Sequence, residues 1–312
     1  MNPLCLITGG AGFIGSHLVE ALTGRGRRVR VLDDFSTGRR ENFAGIIPAP
    51  EIIDGDAADA AAVSRAVHGA DVVFHLAARA SVQFSVEDPL GSHRACATGA
   101  LQVLDAARRA GVCRVVYAGS ASAYGLPAGD VQTEAEPLRA LSPYAAAKLA
   151  GEFYCQSFAA TYGLETVVLR FFNIFGPRQR ADSPYSGVIA LFADAMLKGK
   201  TLRVHGDGLQ SRDFTYVGDV VQALTKAADT PGISGRTYNV GTGRGTSVLD
   251  LVAALNRLLG TQAKPEHGAA RAGDIRHSRA DISAIRRDLG YEPAFTFEEG
   301  LRRTLEWYRT TV

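Results

Sequence analysis

Apolar and polar positions change period repeatedly along this chain. Leu4-Cys5-Leu6-Ile7 is an unbroken apolar run of strand length, and Thr8-Gly9-Gly10-Ala11-Gly12 interrupts it. Phe13, Ile14, Leu18, Val19 and Leu22 then recur at three- and four-residue spacing. This succession predicts a buried strand, a tight turn and an amphipathic helix. Strands are expected again at 28–32, near 51–53, at 71–76, 113–118 and 166–170, with helices near 60–67, 91–110 and 143–162. Repeated strand-helix units with short connections predict an α/β fold, a doubly wound parallel sheet with helices on both faces. Right-handed crossovers gather its functional loops at the carboxyl edge. After Asn173 the rhythm stops, and Pro177, Pro184, Gly187, Gly199, Gly206 and Gly208 break short segments. We expect a first domain over 1–173 and a smaller second one over 174–312, with segments near 213–243 packing back on the first. Helices are expected at 188–198, 217–229, 247–259 and 297–309, and a strand at 236–240.

Composition narrows the picture by exclusion. The 312 residues carry a net charge of +2, and Arg and Lys are scattered rather than massed, so neither nucleic acid nor an anionic membrane is an expected partner. No apolar segment approaches spanning length and no basic leader precedes the first strand, which points to the cytoplasm. Cys5, Cys96, Cys113 and Cys155 form no CxxC pair and read as reduced cysteines, and the seven histidines show no ligand spacing, so no metal is expected.

The chemistry begins at the glycine loop. Gly9 lets the chain turn, Gly12 leaves room for a pyrophosphate, Gly15 lets the helix sit close to the strand, and the helix start offers free N–H groups to an anion. The second strand ends in Asp33-Asp34, at the spacing where a carboxylate meets an adenosine ribose. The pair favours NAD over NADP, since it would repel a 2′-phosphate. The small residues Ala77-Ala78 close a further strand and allow a ligand to approach the backbone. Tyr144 and Lys148 stand at i, i+4 on a helix opened by Ser142 and Pro143, so phenol and ammonium share a face, and a nearby cation favours the phenolate. A solvated Tyr-Lys pair is the competing reading. Ser120-Ala121-Ser122 leaves the fifth strand at the same sheet edge, which brings a hydroxyl to the pair.

These motifs resemble the extended short-chain dehydrogenase/reductase family, and within it the nucleotide-sugar epimerases of the UDP-glucose 4-epimerase type. The resemblance spans nearly the whole chain. Its carriers are Thr8 to Ser16, Gly55-Asp56, Phe74 to Ala78, Ser120 with Tyr144 and Lys148, Arg170-Phe171-Phe172-Asn173, Gly206-Asp207-Gly208, Arg212-Asp213-Phe214, Tyr238 to Gly241, and Arg271 to Asp274.

The resemblance implies a Rossmann-type cofactor domain and a smaller substrate-binding α/β domain, with NAD held by Gly9, Gly12, Phe13, Ile14, Gly15, Asp33, Asp34, Asp56, Ala57, Leu76, Ala77, Ala78, Tyr144, Lys148 and Phe172. It implies a UDP-sugar held by Ser120, Ser122, Tyr144, Asn173, Val188, His205, Arg212, Arg271, Asp274 and Ser278. Surface ion pairing is the competing role for each arginine. The implied catalytic set is Ser120, Tyr144 and Lys148, inverting C4 of a UDP-hexose through a transient 4-ketose, with Lys148 keeping the tyrosine acidic. Ser278 would gate the pocket beside the sugar and, lacking an aromatic ring, admit N-acetylated hexoses. A UDP-glucuronate 4-epimerase, another nucleotide-sugar-modifying enzyme and a non-catalytic NAD sensor are the alternatives. Helices 91–110 and 143–162 resemble those through which such enzymes form homodimers. Three positions depart from the pattern: Cys96 replaces a usual Asn, Gly119 a common Ser, and His205 a frequent aromatic residue.

Overall fold

The computed structural model describes residues 2–126, 129–182, 186–270 and 275–311. In chain order the first half comprises β1 (Leu4–Thr8), α1 (Phe13–Gly24), β2 (Arg28–Asp33), β3 (Glu51–Asp54), α2 (Ala60–Val67), β4 (Val72–His75), α3 (Val82–Glu87), α4 (Pro89–His93), α5 (Gly99–Ala110), β5 (Arg114–Ser120), β6 (Val131–Gln132), α6 (Pro143–Tyr162) and β7 (Glu165–Phe171). The second half adds β8 (Asn173–Phe175), α7 (Val188–Leu197), β9 (Arg203–His205), β10 (Ser211–Arg212), β11 (Phe214–Tyr216), α8 (Val217–Asp229) and β12 (Arg236–Val240). It closes with β13 (Thr246–Ser247), α9 (Val248–Leu259), β14 (Glu266–Gly268), β15 (His277–Ala280), α10 (Ser283–Leu289) and α11 (Phe297–Thr311).

Seven strands form one parallel sheet in the order β12-β7-β5-β4-β1-β2-β3. Chain direction across the sheet reverses between β1 and β4, and the crevice at that point is where such sheets bind ligands. Successive side chains of a strand face opposite ways, and the core divides accordingly. Cys5 and Ile7 join one apolar cluster with α1 and α8, whereas Leu4 and Leu6 join another with α2 and α5. Strand β12 and helix α8 therefore belong to the large sheet's layers although they follow Asn173. A third cluster, built from α7, α9 and α11, is the core of the second region.

A smaller sheet, β13-β10-β15-β6, ties that region to the loop after β5. Buried Asn239 on β12 fastens it, donating from Nδ2 to the carbonyls of Gln132 and Asp281. Beneath it Arg170 binds Glu152 through two nitrogens and donates to the Tyr124 hydroxyl at 2.8 Å, all three being buried. A buried pair of this kind sets alignment more than stability. Here it ties α6 to β7 and the turn after β5.

The helix expected over 91–110 is interrupted. Asp88 caps α4 by accepting from the Gly91 N–H, and a π-turn at Arg94–Thr98 separates α4 from α5. Among the described residues no helix is long and apolar enough to cross a membrane, and no cluster of His, Cys, Asp and Glu could hold a metal.

Candidate active site

At the carboxyl edge of the large sheet lies a cleft of ≈ 890 Å³. The glycine loop forms one wall. Gly9 has φ +70°, and a Cβ there would stand 2.7 Å from the Ala77 nitrogen, while one at Gly15 would stand 2.2 Å from the Gly9 carbonyl oxygen. No other residue fits either place. Gly12 precedes α1 without a side-chain cap, so the first N–H groups of that helix are open to an anion.

Asp33 fixes the loop as well as facing the cleft. Its carboxylate accepts from Ala11 N and Phe35 N, both at 2.8 Å, and burial raises its pKa above the ordinary carboxylate value despite those bonds. Asp34 accepts from the Ser36 backbone and hydroxyl, and Asp56 pairs with Arg94 at 2.8 Å. Glycine cradle, open helix start and carboxylate-lined end together match a dinucleotide without a 2′-phosphate. Every residue named above for NAD lines this one cleft.

The three residues expected to be catalytic, Ser120, Tyr144 and Lys148, line this same cleft. Ser120 ends β5, and Ser142 caps α6 by accepting from the Ala145 N–H, which sets Tyr144 in the first turn and Lys148 one turn on. The Ser120 Oγ accepts from the Ser122 N–H at 3.2 Å and from the Ser122 hydroxyl at 2.9 Å. Its own proton is left for a further acceptor, and a bond from Ser120 favours the Tyr144 phenolate. Burial raises the Tyr144 phenol well above its usual value, the Cys96 thiol adds to that rise, and the Ser120 bond opposes both. The i, i+4 spacing predicts that Lys148 favours the phenolate as well. In the structure the Lys148 ammonium is buried, donates to the Ala118 carbonyl at 2.8 Å and is itself pulled down by desolvation.

On the other wall stand Asn173, Arg212 and Ser278, with Phe172 beneath. Parallel pairing of β10 with β15 sets Arg212 opposite Ser278, whose hydroxyl donates to Gln132 Oε1. Two expected contacts fall elsewhere: Val188 begins α7 beside the rim residue Gly187, and His205 sits exposed on β9; neither lines the cleft. A three-residue strand running into Gly206 gave no periodicity from which to place His205. Arg271 and Asp274 lie outside the described residues. Residues not anticipated also line the cleft, among them Arg79, Phe84, Gln179 and Trp307. The polar bend after Ala78 could have suggested the first two. Trp307 arrives through the packing of α11, which no local pattern announces.

Comparison with known proteins agrees with this geometry. The model of the NAD dependent epimerase/dehydratase family matches residues 5–241. A UDP-glucose 4-epimerase of Mycolicibacterium smegmatis is 39% identical over 308 residues, covering 97% of this chain and 98% of the other. Among solved structures, a UDP-N-acetylglucosamine 4-epimerase from Methanobrevibacter ruminantium in complex with UDP-N-acetylmuramic acid superposes with a TM-score of 0.95 at 36% identity, covering 100% of this chain and 99% of that one. A Thermus thermophilus UDP-glucose 4-epimerase in complex with NAD gives 0.90 at 37% identity, covering 99% and 100%.

Proposed function

The chain belongs to the NAD dependent epimerase/dehydratase family, and from that premise we propose that it is an NAD-dependent isomerase inverting C4 of UDP-hexoses, UDP-glucose and UDP-galactose first and N-acetylated forms alongside them. The observation that carries this reading is the convergence of the glycine cradle, Ser120, Tyr144, Lys148 and Arg212 on one cleft.

NAD would sit in the cleft over the glycine cradle and would supply the reversible two-electron oxidation of the sugar carbon. The chain's own groups do the rest. Tyr144, as the phenolate that the positive charge of Lys148 favours, takes the proton of the sugar 4-hydroxyl, and Ser120, whose oxygen accepts from Ser122, donates to that sugar oxygen. Lys148 would hold the cofactor's ribose and supply positive charge there. Arg212 offers a planar donor fork to the diphosphate, with Asn173 beside it, while Arg271 and Asp274 complete the nucleotide's contacts by resemblance. The 4-ketose then rotates and regains hydrogen on its other face. Ser120 is followed by Ala121 and Ser122, so that turn offers no carboxylic acid to protonate a leaving hydroxyl.

We assign cofactor binding to residues 1–173 with the returning segment 213–243, and sugar binding to the remainder. A homodimer through helices 91–110 and 143–162 is supported by the exposed apolar side chains Leu90, Leu101, Phe153 and Tyr154. Four unpaired cysteines suit a reducing compartment such as the cytoplasm. The test is incubation of the pure protein with UDP-hexoses and UDP-glucuronate, with no added reductant, and chromatographic separation of C4 epimers. Interconversion of UDP-glucose and UDP-galactose supports the reading; turnover of UDP-glucuronate alone would replace it.

A further inference from the structure

Beneath the cleft floor a column of buried side chains runs from the glycine-loop strand to the catalytic helix. Thr8 Oγ1 lies 2.7 Å from His75 Nδ1. The His75 ring stacks on Tyr117, with centroids 5.7 Å apart and an interplanar angle of 27°. The Tyr117 hydroxyl donates to the Lys148 carbonyl at 3.1 Å, and the Lys148 ammonium stands over the same ring, 4.9 Å from its centroid. Tyr117 is 1% exposed and His75 likewise.

The fit is tight on the helix side. A Cβ at Gly151, one turn past Lys148, would lie 2.3 Å from the Tyr117 hydroxyl oxygen, so α6 passes at a distance only glycine permits. Burial drives the His75 pKa down to about 3, with Lys148 adding to the effect, and raises that of Tyr117 well above its usual value. Both rings therefore stay neutral across the working range. Among the described residues the Lys148 ammonium makes one hydrogen bond, to the Ala118 carbonyl. A four-carbon chain held by one bond can swing, and an aromatic face supplies a second restraint that also favours the charged amine.

We propose that Tyr117 is a positioning residue for the reaction: its ring, packed on His75 and facing the ammonium, fixes where Lys148 stands under the cofactor. Its hydroxyl only registers α6. The ring and not the phenol is what the chemistry needs, and the proposal rests on the role given to Lys148 above.

The test separates ring from hydroxyl. Tyr117→Phe keeps the aromatic face, and turnover should stay within about threefold of the parent protein. Phenylalanine carrying one, two or three ring fluorines at position 117 keeps the shape while weakening the negative face. Across that series kcat should fall and the Kd for NAD should rise in steps, reaching roughly tenfold, with KM for UDP-glucose unchanged. Tyr117→Leu should match or exceed the trifluoro variant; should it fail to fold, the fluorinated series decides alone. A flat series, or a loss in Tyr117→Phe equal to that in Tyr117→Leu, would overturn the proposal. A parent protein that binds NAD but leaves every UDP-sugar unchanged refutes the functional reading instead, and the NAD affinities across the series still decide the role of Tyr117.

Discussion

Replacing Ser278 by tyrosine should turn a broad sugar pocket into a narrow one. Ser278 is 9% exposed, stands opposite Arg212 and lines the cleft. Its hydroxyl is committed to Gln132 Oε1 at 3.1 Å, an oxygen that also accepts from the Arg279 N–H at 2.9 Å. A tyrosine there does two separable things. It loses one hydrogen bond, at about 1 kcal/mol, and this weakens the site for every substrate alike. Its ring also takes space in the cleft, and a clash with a 2-acetamido group costs about 1–3 kcal/mol, whereas filling space that a 2-hydroxyl leaves unused costs little. The difference corresponds to roughly 5- to 150-fold in kcat/KM. The assay is kcat/KM for UDP-N-acetylglucosamine and UDP-glucose in the parent, Ser278→Tyr and Ser278→Ala, the last of which loses the hydrogen bond and keeps the space. Only the tyrosine variant should change the ratio of the two values. Equal losses on both sugars, or a parent protein inactive on the acetylated one, would refute the reasoning.

Tyr144→Phe removes the proton acceptor and should lower kcat about a hundredfold or more while NAD affinity, read by calorimetry, stays within a few-fold; turnover near the parent's would remove Tyr144 from its role. Gly15→Ala places a methyl 2.2 Å from the Gly9 carbonyl oxygen, against backbone that cannot rotate away. It should lower Tm and strip NAD, detectable by mass spectrometry of the supernatant after denaturation, and full NAD occupancy would contradict the cradle. Asp219 gives a pH signature of stability: burial raises its pKa to about 6 although its carboxylate accepts from backbone N–H groups, that of Ala294 at 2.7 Å among them. Because the folded value exceeds the unfolded one, near 3.9, the protonated acid is favoured in the fold. Its contribution is largest below the unfolded pKa and is lost as pH rises from about 4 to about 6, by at most about 3 kcal/mol. Denaturant midpoints at pH 5 and 7.5 should differ less in Asp219→Asn than in the parent, and identical slopes would contradict this.

Where period alone decides structure, the sequence was sufficient. Helices 60–67, 143–162 and 217–229 and strand 236–240 have the bounds that their apolar spacing predicts. Burial on one face writes that spacing directly. The run over 91–110 hid a π-turn, because a wider turn needs no change of residue type, and what holds it is packing against α6. Strands of two residues, such as 131–132, 211–212 and 246–247, are too short to carry a period, yet they place Ser278 and Arg212. Cleft residues on the large sheet were legible because the glycine loop, the strand ends and the Tyr-Lys pair each carry local chemistry. Trp307 and the column under Lys148 were not, since their partners lie on elements far away in sequence. The surroundings of Lys148 were not legible for the same reason: i, i+4 spacing places it on the face of Tyr144, whereas its contacts with the Ala118 carbonyl and the Tyr117 ring come from β5.

The central claim is that hydrogen leaves and returns to the same sugar carbon inside one cleft. UDP-glucose deuterated at C4, incubated with the protein in ordinary water without added reductant, tests it by mass spectrometry and NMR of both epimers. The account predicts that UDP-galactose forms with the label retained at C4 and none lost to solvent. Washout of deuterium during epimerisation, or label retained with no epimer formed, would contradict it.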